Sequence, residues 1–367
     1  MKIFLCLFLL CCSISFGQDD EIDSIDTVIN DFKNQKQNKL DNLYTFCKSK
    51  IDSSELENFI KYTTYLIEEA KTHKNFKYIA LGHQLLTEKY MEIGDYDNAL
   101  KNSNNSINIS KNYLKDSLKV IFLNQKANMF KFFDKNDSSL VYFKKAIQLG
   151  EASKQYRVLG YSYTGLSSLY TNQSKFLDAI ELGHKTLEIS TEQNLVDLQI
   201  SSMINLGWLF LRIEDYEKSL DFLMQADKKF IKKDVKNYDL QCDIYRFIGL
   251  NYSRNNNVEK GNIYNQKALK CLESTKNIML ASDVLNTIGA NYLRTKKYKD
   301  AIPYFRRLIE NSRTLNSKEL ENFGNINLSS ALIETNKLNE SEKLLFNLLR
   351  DTINKQILPK RLEKIVY

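Results

Sequence analysis

A repeat of about 40 residues constrains the fold of this chain more than any other feature. Residues 207–219 and 289–301 show it most clearly: a glycine is followed by an aromatic residue at +3, another at +9 and a small residue at +12. Aligned on that last position, the chain has eight copies, at Phe59, Ala99, Ser139, Ala179, Ser219, Gly261, Ala301 and Ser341. Successive copies lie 40, 40, 40, 40, 42, 40 and 40 residues apart. A period kept over so many copies predicts a chain built by stacking one small structural unit.

Each copy has the pattern of two amphipathic helices joined by a short polar turn. In one copy the turn is Glu214-Asp215, and an apolar stripe with helical spacing lies on each side of it. The first stripe consists of Met203, Leu206, Gly207 and Phe210, and the second of Ser219, Leu220, Leu223 and Ala226. The chain has only 12 glycines and 2 prolines, too few for the tight turns of a sandwich or barrel. These observations predict an all-α fold.

The helix pairs resemble the tetratricopeptide repeat, in which a large residue, Leu-Gly, Tyr, a turn, Ala, an aromatic residue and Ala stand in fixed register. The clearest copies are Tyr245, Ile248, Gly249, Tyr252, Val258, Gly261 and Ala268, and Leu285, Ile288, Gly289, Tyr292, Tyr298, Ala301 and Phe305. The resemblance covers residues from about 40 to 350 and implies a right-handed α-solenoid of helix-turn-helix repeats. The period is nearer 40 than the family's 34, and the family's helix-ending proline is missing from the repeats. Longer helices joined by polar loops would account for both differences.

The first 17 residues have the three parts of a secretory signal peptide: Lys2, an apolar run over residues 3–12, and small residues at Ser15 and Gly17. We therefore predict cleavage after Gly17 and export to a periplasm or out of the cell. The alternative is a membrane anchor, but a spanning helix needs about 20 apolar residues, so no stable membrane span is expected after cleavage. The remaining predicted regions are a polar amino-terminal segment at 18–38, an array of about eight helix pairs at 39–350, and a capping helix or incomplete repeat at 351–367.

Cleavage leaves three cysteines, Cys47, Cys242 and Cys271. An odd number at distant spacings is unlike the disulfide framework of a small exported protein. Each cysteine is therefore expected to be a small core side chain. A bridge between Cys242 and Cys271, joining neighbouring helix pairs, is the alternative.

The sequence lacks the motifs of common enzymes and metal sites. It contains no GxSxG, no Walker-type glycine loop, no GxGxxG and no HExxH, and its three histidines, His73, His83 and His184, lie far apart. We predict a non-enzymatic protein with no catalytic, cofactor-binding or metal-binding residues. The net charge of +7 is spread along the chain, and lysines alternate with acidic residues. Solvated helix faces explain this charge better than a nucleic-acid-binding stripe, so no nucleic-acid partner is expected.

Three arginines stand at the same point of successive repeats. Arg212, Arg254 and Arg294 each follow the aligned glycine by five residues, which predicts a ladder at the carboxyl ends of three first helices. One interpretation is helix-end electrostatics, because a cation there stabilises a helix by about 0.3–1 kcal/mol. The other is a groove that grips acidic groups or a carboxylate of a bound peptide. That groove would also contain Trp208, Arg246, Asn205 and Asn286.

The resemblance implies a scaffold whose inner groove binds a peptide or protein segment. Family members that clamp a peptide's carboxyl terminus use lysine and asparagine at set first-helix positions, where this chain has Asn124 and Asn128 but no lysine. The alternative is an extracytoplasmic sensor module, similar to those of bacterial signalling or transcription-regulating proteins that continue into membrane and output parts. A reading frame that continued beyond Tyr367 into an apolar helix would favour the sensor.

Overall fold

The computed structural model of the protein describes residue 32 and residues 38–51 and 55–355. The predicted signal peptide at 1–17, most of the predicted segment at 18–38, and residues 356–367 lie outside this part. The described residues form sixteen helices and no strand. Among these helices, none combines the length and the apolar character that crossing a bilayer requires.

The helices follow one another with short connections. In the amino-terminal part they are α1 Lys39–Ser49, α2 Leu56–Thr72, α3 Phe76–Glu92 and α4 Tyr96–Tyr113. They continue as α5 Asp116–Phe132, α6 Asn136–Ala152, α7 Tyr156–Asn172, α8 Phe176–Glu192, α9 Val196–Arg212, α10 Tyr216–Lys232, α11 Tyr238–Arg254, α12 Val258–Ser274, α13 Ile278–Arg294, α14 Tyr298–Thr314, α15 Lys318–Glu334 and α16 Leu338–Lys355.

The lengths of these helices explain the sequence period. The eight aligned positions from Phe59 to Ser341 all fall on the fourth residue of an even-numbered helix, and all are buried. From α5 to α15 each helix has 17 residues, and most connections have three, so one pair with its connections takes 40 residues. The single interval of 42 arises between Lys232 and Tyr238, where the connection is two residues longer. The predicted all-α helix-turn-helix solenoid is therefore confirmed.

The core is distributed along the chain. The chain divides into two compact units, residues 1–114 and residues 115–367. In the first unit, α1 to α4 enclose a core that contains the fully buried Phe59. In the second unit, α5 to α16 enclose three apolar clusters, which contain Phe143, Leu223 and Phe305. Within each unit, the helix pairs bury their apolar faces against one another, as stacked repeats require.

The aromatic residues of the repeat pack between the two helices of a pair. In four pairs, a ring near the end of the first helix lies against a ring twelve residues later on the second helix. The pairs and their centroid distances are Phe130–Tyr142 at 5.5 Å, Phe210–Phe222 at 5.6 Å, Tyr252–Tyr264 at 5.9 Å and Tyr292–Tyr304 at 5.6 Å. These separations are those of favourable ring pairs, so the recurring aromatic residues help to hold these four helix pairs together.

Left-handed residues end most of the helices. After α9, for example, Glu214 has φ 65° and the Asp215 N–H donates to the Phe210 carbonyl at 3.0 Å, which closes the helix end. Equivalent residues with positive φ are Lys74, Gly94, Asp134, Lys154, Ser174, Asn194, Asp234, Asn256, Lys276, Lys296, Asn316 and Asn336. Only one of them is glycine, although a side chain makes this conformation unfavourable.

This backbone strain predicts opposite effects of two substitutions. Lys276→Gly should raise the free energy of unfolding by about 1 kcal/mol, because Lys276 has φ 56° and glycine adopts that conformation without a steric penalty. Gly94→Ala should lower it by about 1 kcal/mol, because φ there is +76° and open space around Gly94 excludes a packing effect. Urea unfolding followed by circular dichroism measures both. Equal changes of the same sign would contradict the strain argument.

The structure corrects the prediction for two of the cysteines. Cys242 and Cys271 form a disulfide, with their Cα atoms 5.4 Å apart. The bridge joins α11 to α12, which are the two helices of one pair rather than members of neighbouring pairs. Cys47 is the buried thiol that the sequence predicts, and burial raises its pKa to about 12.

Candidate functional site

The first helices of the second unit form one continuous surface. The backbone of each odd-numbered helix from α5 to α13 comes close to that of the next odd-numbered helix. Successive even-numbered helices in the described residues meet instead mainly through side chains, such as Arg307 of α14 and Glu273 of α12. The first helices therefore lie closer together and form the inner side of this unit. All seven predicted site residues lie on three of them: Asn205, Trp208 and Arg212 on α9, Arg246 and Arg254 on α11, and Asn286 and Arg294 on α13.

The three predicted residues of α9 share an open cavity of about 640 Å³. Arg212 lies exposed at its edge, with its guanidinium carbon 5.5 Å from the centroid of the Trp208 ring and 5.7 Å from that of Phe176. Asn205 donates to the Ser167 hydroxyl at 3.4 Å. The other lining residues are Asp134, Ser168, Thr171, Asn172 and Ser174. The structure therefore brings together an aromatic ring, an amide and a guanidinium group at the surface between α7 and α9.

A smaller and more apolar depression adjoins this cavity. Its volume is about 190 Å³, and Asn205 and Trp208 line both spaces. The Trp208 ring lies 5.2 Å from the ring of Phe247 on α11. The remaining lining residues are Ser201, Ile204, Leu240 and Asp243. Trp208 therefore separates a polar space on one side from an apolar space on the other.

Two predicted residues already have partners in the protein. Arg246 forms an ion pair with Asp243 at 2.7 Å, and its guanidinium carbon lies 4.1 Å from the Phe247 ring centroid. Asn286 accepts a hydrogen bond from the Asn327 side chain at 3.0 Å. Because Arg246 is neutralised by Asp243, it does not contribute a free positive charge to the surface.

The three arginines of the predicted ladder differ in their contacts. Each is the last residue of its helix, as the register predicts. Arg294 donates to the Ser253 carbonyl and, at 3.1 Å, to Asn291 Oδ1. Arg254 makes no hydrogen bond, ion pair or ring contact with the described residues. Arg294 therefore has the helix-end role, because it binds a carbonyl at the carboxyl end of α11, while Arg212 stacks on aromatic rings.

Arg294→Ala should lower the free energy of unfolding by about 1–3 kcal/mol, whereas Arg254→Ala should lower it by at most the helix-end contribution of about 0.3–1 kcal/mol. Removing Arg294 takes a charged donor from the Ser253 carbonyl and from the side chain of Asn291, which is buried. Guanidinium unfolding of both variants measures the difference. Equal stability of the two variants would show that the Arg294 contacts contribute nothing.

The remaining arginines show what is unusual about this ladder. Of the six arginines in the described residues outside the ladder, five pair with carboxylates: Arg157 with Asp197, Arg246 with Asp243, Arg306 with Glu340, Arg307 with Glu273 and Arg313 with Glu321. In the same part of the chain, no carboxylate lies within ion-pair distance of Arg212, Arg254 or Arg294. The charges of Arg212 and Arg254 therefore remain available to an external anion, whereas Arg294 is engaged by the Ser253 carbonyl and the Asn291 side chain.

Sequence reasoning missed several residues that line the cavity, such as Ser168 and Asn172, and Lys131, which contacts Ser168. Lys131 on α5 donates to the Ser168 hydroxyl at 3.0 Å, and burial lowers the pKa of its ammonium group. Ser168 and Asn172 occupy the positions of Trp208 and Arg212 one repeat earlier, so extending the 40-residue register would have found them. Lys131 has no such signal, because its burial depends on how α5 packs against α7.

Comparison with known proteins adds a family match. Residues 282–314, which span most of α13 and α14, match the model of the tetratricopeptide repeat. No curated protein matches the sequence significantly.

The described fold is similar to several solved structures. One is a Signal Transduction ATPase with Numerous Domains with a tetratricopeptide repeat sensor from Pyrococcus horikoshii, at 16% identity and a TM-score of 0.59, with 90% of this chain and 56% of that chain covered. Another is the apo quorum sensor NprR from B. thuringiensis, at 12% identity and TM-score 0.57, with 89% and 97% covered. A third is a Rap protein complexed with competence and sporulation factor, at 12% identity and TM-score 0.55, with 88% and 94% covered. At these identities the likeness shows the fold.

The predicted resemblance is confirmed at the level of fold. The repeat copy at residues 282–314 matches the family model, and the described helices are arranged as in tetratricopeptide repeat proteins, including bacterial sensor regions. The chain spans 56% of the length of the Pyrococcus horikoshii protein.

Proposed function

We propose that this protein is an exported, non-enzymatic scaffold that binds a peptide or protein segment on the first-helix surface of its second unit. The observation that carries the proposal is the open cavity between α7 and α9, where Asn205, Trp208 and Arg212 meet. Aromatic and arginine side chains dominate the energetics of protein recognition. A side-chain amide such as Asn205 supplies both a donor and an acceptor for a bound backbone.

Similar proteins support a peptide or protein ligand. The solved Rap protein is complexed with competence and sporulation factor, and NprR is described as a quorum sensor. Their fold resembles this one over most of both chains. On the first-helix surface of this chain, Trp208 and Arg212 line an open cavity, and Arg212 has no carboxylate partner in the described residues, so both are suited to bind such a segment.

Two features support export. Residues 1–17 have the pattern of a secretory signal peptide. The disulfide between Cys242 and Cys271 suits an oxidising compartment, where such bonds persist. Mass spectrometry of the amino terminus of the full chain, expressed in a bacterial host, tests this part. A mature chain that begins at Gln18 supports export, and an intact Met1 in a cytoplasmic fraction contradicts it.

A peptide library tests the binding function. The full chain is expressed with a carboxyl-terminal tag, purified under non-reducing conditions and screened against immobilised random octapeptides. We expect a family of related peptides whose binding is weakened in the variant Trp208→Ala. The matched control is Phe346→Ala, which removes an aromatic side chain that is 66% exposed on α16. Failure to enrich any peptide, with the protein folded by circular dichroism, would contradict the proposal.

The second candidate is the sensor module, which the likeness to the sensor of the Pyrococcus horikoshii protein favours. A sensor transmits ligand binding to another part or partner, whereas a scaffold needs only to hold its ligand. In-cell crosslinking from an introduced photoreactive residue, with and without the enriched peptide, separates them. A crosslinked membrane protein that appears only with peptide supports the sensor.

A further inference from the structure

We propose that the protein docks on the surface of an anionic lipid bilayer through a basic edge of its second unit. The basic edge is residues 228–239, which comprise the end of α10, the connection that follows it and the start of α11. Docking of this kind is peripheral and needs no spanning helix. It goes beyond the proposed peptide-binding function and does not depend on it.

The first support is the concentration of lysines in the basic edge. It has five lysines and two acidic residues, so its net charge is +3. The corresponding residues of the preceding repeat, 188–199, have three acidic residues and no basic one, a net charge of −3. Those of the following repeat, 270–281, have two lysines and one acidic residue, a net charge of +1. The positive charge therefore belongs to this connection rather than to the repeat pattern.

Most of these lysines lack a counter-charge within the protein. Lys228, Lys232 and Lys233 are exposed, and in the described residues none of the three has a carboxylate within ion-pair distance. Lys236 pairs with the exposed Asp234 at 2.6 Å. Lysines without an internal partner are attracted by the negative surface potential of anionic lipids.

The second support is a pair of exposed apolar side chains among these lysines. Ile231 is 66% exposed and Tyr238 is 62% exposed, at the two ends of the connection. Lys228, Ile231 and Lys232 have the spacing of one helix face, so the aliphatic side chain lies between two cations. Aliphatic and aromatic side chains enter the interfacial layer of a bilayer while lysines bind its headgroups. The phosphates of a nucleic acid offer no such apolar layer, so these residues favour a lipid surface.

A second group of lysines in the same unit lacks this apolar component. Residues 296–299, between α13 and α14, include three exposed lysines, and the aromatic residue among them, Tyr298, is partly buried. Asp300 and Glu334 line the same open depression as these lysines. The group therefore has three positive charges without the exposed apolar side chains, which makes it a matched control for the basic edge.

The basic edge and the open cavity lie at opposite ends of α9. Lys229 donates to the Gln199 side chain at 2.5 Å, so the basic end of α10 lies beside the start of α9. Arg212, which lines the cavity, is the last residue of α9. A helix of 17 residues is about 25 Å long. Docking through the basic edge therefore leaves the cavity uncovered.

Flotation of vesicles with the full chain tests the inference. One set of vesicles is phosphatidylcholine alone, and the other contains about one third phosphatidylglycerol, which supplies negative charge. The measured quantity is the ratio of binding to anionic and neutral vesicles, because apolar residues outside the basic edge, such as those at 3–12, bind both. We expect a ratio of about a hundred, since each of three lysines near an anionic surface contributes about fivefold. Salt at about 1 M, where the Debye length is about 3 Å, should abolish the preference.

Three variants locate the binding surface. Lys228→Gln with Lys232→Gln and Lys233→Gln should lower the ratio by about tenfold or more. Ile231→Ser with Tyr238→Ser should weaken binding to the anionic vesicles by about tenfold and leave its salt dependence unchanged. The control is Lys296→Gln with Lys297→Gln and Lys299→Gln, which removes the same charge from exposed positions at the other helix ends. It should change the ratio by no more than about threefold, because charges beyond a Debye length from the bilayer are screened. Circular dichroism checks that each variant is folded.

Three results would overturn the inference. The first is equal binding of the native chain to anionic and neutral vesicles. The second is a control variant that loses as much preference as the variant of the basic edge, because net charge and not this surface would then explain the binding. The third is displacement of the chain from anionic vesicles by a DNA duplex, which would identify a nucleic-acid site. The variants of the basic edge should select the same peptides as the native chain, so failure here leaves the proposed function intact.

Discussion

Replacing both Cys242 and Cys271 by alanine should lower the free energy of unfolding of the second unit by roughly 3–4 kcal/mol. This value is the loop-closure entropy that the disulfide removes from the unfolded chain. The bridge closes a loop between residues separated by 29 positions, across the connection between α11 and α12. Removing it allows the unfolded chain more conformations, while Cys242 also leaves a buried position. Circular dichroism melting curves of native and variant proteins, both under non-reducing conditions, measure the loss.

A reductant supplies the control for this prediction. It should lower the melting temperature of the native protein nearly to that of the Cys242→Ala and Cys271→Ala variant, and it should not change the variant. Cys47→Ala serves as the matched change, because Cys47 is a buried thiol without a bridge, and reductant should still destabilise that variant. A native protein whose melting temperature is unaffected by reductant would contradict the prediction.

The repeat made most of the fold predictable. The small residues from Ala99 to Ser341 mark close helix contacts, and the same register recurs because every pair must fit the next. The disulfide was not predictable from the period, because it depends on helix boundaries. Cys242 lies four residues after the start of α11 and Cys271 three residues before the end of α12, so the two meet only when these helices run side by side.

The candidate site was predictable in position but not in chemistry. The register places Arg212, Arg254 and Arg294 at equivalent helix ends, and it cannot show that one stacks on rings, one makes no contact and one binds a neighbouring carbonyl. These differences come from the residues of adjacent helices, such as Phe176 and Asn291. The sequence repeat therefore locates the surface on which these arginines lie. The packing between repeats decides which of them lack a partner within the protein.

Phe305→Ala should lower the free energy of unfolding around α13 and α14 by about 3–5 kcal/mol. The Phe305 side chain is fully buried in the apolar cluster that α13, α14 and α15 share, so its removal loses burial and leaves a cavity. Hydrogen exchange of the α13 and α14 amides measures this local stability, since repeat proteins need not unfold as one unit. Phe346→Ala is the control, because Phe346 is 66% exposed and its loss should change stability little.

The close contact between Phe305 and Gly289 makes this prediction sharper. A Cβ on Gly289 would lie 2.6 Å from Phe305 Cε1, so Gly289→Ala alone should cost about 1–3 kcal/mol through overpacking. In the Phe305→Ala background the ring is gone, and alanine is a better helix former than glycine by about 1 kcal/mol. The same Gly289→Ala change should then be neutral or stabilising. Because contacting residues couple, the two effects should not add. If the two losses of unfolding free energy simply add in the double variant, the Phe305 ring is not the reason why residue 289 is a glycine.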